Sequence, residues 1–138
     1  MTREHLSSED RRAATVGAVI ALAADHDPVE ISTTAIAKHM GVTQGALFKH
    51  FPTKEAILES VMTWVADRLI SRVDSAAKGQ PTASRALEAM FLAHTHFVSE
   101  HPGVPRVMFG ELQRAGSTAP KRIAATLLRQ YAERLSYL

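Results

Sequence analysis

The side chains best suited to gripping another molecule lie in one twenty-residue run, residues 32–51, which reads STTAIAKHMGVTQGALFKHF. Gln44 carries an amide able to bond an adenine edge at two points, and Lys49 can reach guanine or a phosphate. Gly45 and Ala46, beside them, are small enough to let a backbone come close, and Ala46 can touch a thymine methyl. Thr33, Thr34, Lys38 and Lys54 are hydroxyl and ammonium groups of the kind that hold phosphates without reading bases. No acidic residue occurs between Glu30 and Glu55, whereas Lys38, Lys49, Lys54, His39 and His50 do. A net charge of only +2 therefore conceals a local positive block.

Such groups need short, rigid helices to present them. Ser32 can cap a helix that ends before Gly41, which readily takes the left-handed conformation that stops a helix. Val42 fills the turn, Thr43 caps a further helix over residues 44–50, and Ile36, Ala37 and Leu47 wedge the two helices together. Two short helices joined by a tight glycine turn form a helix-turn-helix. The outward face of the second is left with Gln44, Gly45, Ala46 and Lys49.

Around this run the chain reads as helical throughout, with apolar residues at three- and four-residue spacing and no alternating stretch. A first helix starts at Ser7 or Ser8 and runs to about Ala24, with Ala13, Val16, Ile20 and Ala23 on one face. Thr53 opens a long fourth helix with Ile57, Leu58, Val61, Trp64, Val65, Leu69 and Val73 as its stripe. Residues 78–81, KGQP, mark the best internal boundary. A fifth helix carries Ala86 to Val98, a sixth Val104 to Ala115, and residues 116–120 break the chain. A seventh carries Ile123, Leu127, Leu128, Tyr131, Leu135 and Leu138. It shows no stop signal, so its apolar face is covered by the fifth and sixth helices, by a second subunit or by residues beyond Leu138. The expected division is a helix-turn-helix head over residues 1–53, a connecting helix over 54–78 and a short or incomplete helical domain over 79–138.

Composition narrows the function classes. The 138 residues contain no cysteine, which excludes disulfides, thiol nucleophiles and thiolate zinc sites. The apolar run of residues 13–24 follows Arg11 and Arg12, but Glu4, Glu9 and Asp10 spoil a leader, and the run is too short to span a membrane. A cytoplasmic location without membrane association is expected. No glycine-flanked nucleophile or phosphate loop frames a catalytic group, so an enzyme is not expected.

The segment from Ser32 to Leu58 resembles the DNA-binding signature of the TetR family of bacterial repressors. The resemblance rests on Ile36-Ala37, Gly41-Val42, Leu47-Phe48, His50-Phe51, Lys54-Glu55 and Ile57-Leu58, and covers about the first 77 residues. It implies an all-α fold, base contacts from Gln44, Gly45, Ala46 and Lys49, and backbone contacts from Thr33, Phe48, His50 and Lys54. Phe48 stands where the family usually has tyrosine, which removes a hydroxyl. Thr15-Val16 replaces a usual pair of large aliphatics, which loosens the packing of the first helix. The loop of residues 25–31 lacks the usual glycine.

By the same resemblance, residues after about 80 bind a ligand and dimerise, although family members commonly carry two further helices. A pocket for a small lipophilic effector would draw on Met62, Trp64, Met90, Phe91, His94, Phe97, Met108, Phe109 and Tyr131. These spacings equally describe an ordinary helical core. His94, His96 and His101 lie close in sequence without the convergent ligands of a metal site, so no metal and no cofactor are expected. The resulting expectation is a homodimer on a near-palindromic double-stranded operator, with recognition helices roughly 34 Å apart. The alternative is a helix-turn-helix protein acting through a protein partner, docked on Lys121, Arg122, Arg129 and Arg134 of the last helix.

Overall fold

A computed structural model describes residues 7–138, so the first six residues of the expected head lie outside the described part. Seven α-helices follow in order: α1 Ser8–Asp25, α2 Thr33–Met40, α3 Gln44–His50, α4 Lys54–Ala77, α5 Ala83–Glu100, α6 Gly103–Leu112 and α7 Ala119–Ser136. A single 3-10 turn at Pro28–Glu30 links α1 to α2. There is no strand among the described residues.

Hydroxyl caps decide where six of the seven helices begin. Ser7, Ser32, Thr43, Thr53, Thr82 and Thr118 each accept the backbone N–H three residues on. Each such bond contributes about 1 kcal/mol by satisfying a donor the helix cannot use. Thr118 corrects the break expected over residues 116–120, because Ala119 and Pro120 already form the first turn of α7. Proline is tolerated there, where its missing N–H has no helical partner to lose.

Only α6 has no side-chain cap; its start is set by packing. It lies across α1, while α4 packs chiefly against α5 and α7. Gly103, buried at the start of α6, sits so close to α1 that a β-carbon there would fall 2.1 Å from the Ile20 carbonyl oxygen and 2.9 Å from the Ala24 nitrogen. The core is continuous from head to body: Val16, Val19, Ile20, Ile36, Leu47 and Phe51 belong to the same cluster as Val61, Met62, Val65, Met90, Phe97, Val107 and Leu127. On α1, Ala13 is exposed, contrary to the expected face, and Thr15 is buried instead. The Thr15 hydroxyl donates to the Arg11 carbonyl at 2.7 Å, which lets it lie in an apolar environment. On α7, Leu127 is buried whereas Leu128, Leu135 and Leu138 are exposed, so only part of the expected stripe is covered.

Gly103→Ala is expected to destabilise the fold by at least the upper end of the roughly 1–3 kcal/mol typical of overpacking, because backbone cannot step aside as a side chain can. Chemical denaturation measures this as a lower midpoint; an unchanged midpoint would refute the close packing of α6 on α1.

Candidate nucleic-acid interface

The turn between α2 and α3 is built on Gly41, whose φ of 70° and ψ of 29° place it in the left-handed region. That conformation brings the Val42 N–H within 3.0 Å of the Ala37 carbonyl, which ties the end of α2 to the start of the turn. Ile36, Ala37 and Leu47 are all buried between the two helices. Phe51 closes α3 from below, with the Arg12 guanidinium 5.9 Å from its ring centroid. A short helix thus stands rigidly on the surface, backed by packing on both sides.

On that helix Gln44, Gly45 and Lys49 are open to solvent, and Thr34 and Lys38 of α2 are open beside them. A β-carbon added at Gly45 would meet nothing closer than the Thr43 hydroxyl at 4.0 Å, so no contact within the protein requires glycine there. Gln44 is held in place: its Nε2 donates to the Thr33 hydroxyl at 3.0 Å and to the Thr34 hydroxyl at 2.9 Å. The sequence assigns Gln44 to bases and Thr33 and Thr34 to phosphates, and the structure joins the three by hydrogen bonds. Phe48 is 40 % exposed, and His50 and Thr33 are half-buried at the margins.

Two residues are placed differently from a simple outward face. Ala46 is half-buried and helps line a cleft of about 300 Å³ between α1 and the α2–α3 pair, together with Ala14, Thr15, Ala18, Met40 and Val42. Ala14, Thr15 and Ala18 are the small α1 side chains on its wall. Lys54 turns inward, its Nζ donating to the Pro28 carbonyl at 3.4 Å. Burial first, and the Arg114 charge second, lower its pKa against the opposing pull of Glu111. Glu111 was not singled out from sequence. It is 3 % exposed, with one carboxylate oxygen 3.3 Å from the Arg114 Nε and the other without a hydrogen-bond partner among the described residues. Burial holds its carboxyl above the usual range, more than Arg114 and Lys54 lower it. The available signal was an acid at the i+7 position of the Val104, Val107 stripe on α6.

The nine residues expected around an effector pocket are scattered. Met62, Met90 and Phe97 fill the core, whereas Phe91 and Phe109 are 64 % and 61 % exposed. Trp64 and Met108 are partly buried against the core. Trp64 stacks against Phe97 and meets His101 edge-on at 5.9 and 5.1 Å between ring centroids. His94 and Tyr131 alone form a polar pair, 2.9 Å apart between α5 and α7, and burial raises the Tyr131 pKa. The histidines diverge: His96 and His101 lie 2.7 and 3.7 Å from Glu100, while His94 faces Tyr131. The Glu100 carboxyl is lowered chiefly by its hydrogen bond from Arg72. On α7, Arg134 forks onto Asp74 of α4, Lys121 donates to the Arg114 carbonyl, Arg122 to Ser117 and Arg129 to the Thr126 hydroxyl, so all four cations expected to dock a partner make hydrogen bonds within the chain.

No helix among the described residues is long and apolar enough to cross a membrane. Residues 16–61 match the family model described as bacterial regulatory proteins, tetR family. A relative named nucleoid occlusion factor SlmA, from Sodalis glossinidius, is 31 % identical over 80 residues, covering 58 % of this chain and 40 % of its own. The chain thus spans less than half the length of that relative. A TetR-family transcriptional regulator from Streptomyces coelicolor superposes with a TM-score of 0.74 at 27 % identity, covering 95 % of this chain and 59 % of its own. A transcriptional regulator from Pseudomonas aeruginosa PAO1 shares the fold, with a TM-score of 0.78 at 21 % identity over 95 % of this chain and 64 % of its own. The head over residues 16–61 thus matches the tetR-family model, and the helices around it share their fold with a TetR-family transcriptional regulator.

Proposed function

We propose that this protein is a sequence-specific transcriptional regulator that lays α3 in the major groove, reading bases with Gln44, Ala46 and Lys49 while Gly45 lets the backbone approach. The observation that carries this reading is the exposed Gln44-Gly45-Lys49 face on a helix locked by Gly41, in a stretch without acidic residues from 31 to 54. Thr33, Thr34, Lys38, Phe48, His50 and Lys54 surround it as phosphate and sugar contacts. Two copies with recognition helices roughly 34 Å apart would meet a near-palindromic operator in the cytoplasm. Release by a small lipophilic effector is part of the proposal. Such a ligand would enter between α5 and α7 beside His94 and Tyr131, because Met62, Met90 and Phe97 already fill the core. It acts only through unequal affinity for the DNA-bound and free shapes.

A second reading is that the protein acts mainly through a protein partner. The exposed Leu87 and Phe91 of α5 and Leu128 and Leu135 of α7 are apolar surface available to such a partner.

Selection of bound duplexes from fragmented genomic DNA tests the primary reading. Wild-type protein is expected to enrich a near-palindrome and Lys49→Ala to lose it; no enrichment by the wild type would count against operator reading. Gly45→Ala separates function from fold. It should leave thermal stability unchanged or raise it by up to about 1 kcal/mol, since alanine is the better helix former. It should nevertheless weaken DNA binding, because the added methyl projects towards the groove. Equal loss of folding and binding would contradict an open face. Gln44→Ala should relax preference at one base position by about 1–3 kcal/mol, read as altered base frequencies there in the same selection.

A further inference from the structure

Where the head meets the body, four elements bring charges together: the start of α4, the Pro28–Glu30 turn, the end of α6 and the start of α7. Glu55 of α4 accepts the Ala119 N–H of α7 at 3.3 Å. Gly110 of α6 faces Pro28, its notional β-carbon 3.9 Å from the proline ring. Within this junction Glu111 is a carboxylate short of one donor, and Lys54 is an ammonium with a single long bond to a carbonyl. Among the described residues the two make no ion pair within 4.0 Å, but both border the Pro28 turn, whose carbonyl accepts from Lys54 and whose ring faces Gly110 beside Glu111, and there each lies within range of the other's charge.

We propose that Glu111 is a positioning residue for DNA binding: its buried carboxylate competes with a DNA phosphate for the Lys54 ammonium, so the packing of α6 sets how much of that charge the head offers. The inference rests on the reading of Lys54 as a phosphate contact. Lysine suits the role because its charge rides on a flexible four-carbon stem with three rotatable donors. A buried carboxylate with an empty acceptor gains from any ammonium that approaches and loses when that ammonium leaves. Turning Lys54 out to a phosphate therefore works against Glu111. Any event that moves α6 off the Pro28 turn loosens that hold. Glu111 contacts no DNA on this view; its effect passes entirely through Lys54.

The test uses the full chain and a fluorescent duplex of about 30 base pairs of random sequence, because phosphate contacts are sequence-independent. Affinity is measured between about 50 and 250 mM salt for wild type, Glu111→Gln, Glu111→Met, Lys54→Met and the Lys54→Met/Glu111→Gln double variant. Removing the carboxylate is expected to tighten binding about three- to tenfold at the low-salt end and to steepen the logarithmic salt slope by about one phosphate's worth of counterion release. In the Lys54→Met background the same change should alter neither quantity. A purely structural Glu111 would move the melting temperature without moving the salt slope. If Lys54→Met weakens binding while both Glu111 variants leave affinity and slope at wild-type values, the inference is overturned and the DNA-binding reading stands. Loss of folding in both Glu111 variants would overturn it too. If wild type does not bind, or Lys54→Met binds like wild type, the underlying reading of Lys54 fails first.

Discussion

At the start of α6 no side chain separates two helices. Gly103 rests against the α1 backbone near Ile20 and Ala24, closer than any β-carbon would permit. This absence of volume lets α6 lie flat on α1, and it accounts for the one helix that lacks a hydroxyl cap. Because α1 also backs the helix-turn-helix, the head and the body share one helix as a common wall. The continuous core from Val16 to Leu127 follows from that wall. A wider spacing at Gly103 would separate the Pro28 turn from Gly110 and dissolve the charged junction around Glu111 and Lys54.

The surface divides its labour accordingly. On the head, Lys38 and Lys49 project from short helices with no acid in the same stretch. On the body, some cations are paired with acids: Arg72 with Glu100, Arg85 with Glu88, Arg134 with Asp74. Exposed pairs of this kind add little stability.

The helix-turn-helix was legible because its determinants are local. Ser32, Gly41 and Thr43 act on their own neighbours in sequence, and the structure places the turn where their chemistry requires it. Thr53 marked the start of α4 for the same reason. What sequence could not supply was the partner across space. Phe91 and Phe109 belong to good apolar periodicities yet lie exposed, because periodicity identifies a face and not what covers it. Lys54 was placed correctly on its helix, but its inward turn depends on Pro28, twenty-six residues earlier. The close approach of Gly103 to α1 leaves no mark in its sequence neighbours. Met62, Met90 and Phe97 satisfied either a pocket or a core, and only packing distinguished the two.

The amide of Gln44, held between Thr33 and Thr34, has a consequence for how tolerant a reader it makes. A glutamine free in solvent loses rotamer freedom, worth up to about 1.5–2 kcal/mol, when it docks on a base. Here much of that ordering is complete beforehand, so on the proposed reading of Gln44 as a base contact, recognition would become an exchange of acceptors. An adenine would have to outcompete two threonine hydroxyls. A base that cannot do so would leave the amide where it was, with its donors still satisfied and no desolvated group stranded in the groove. The threonines thus give the side chain a resting place, which would make a mismatch at that position mild instead of prohibitive.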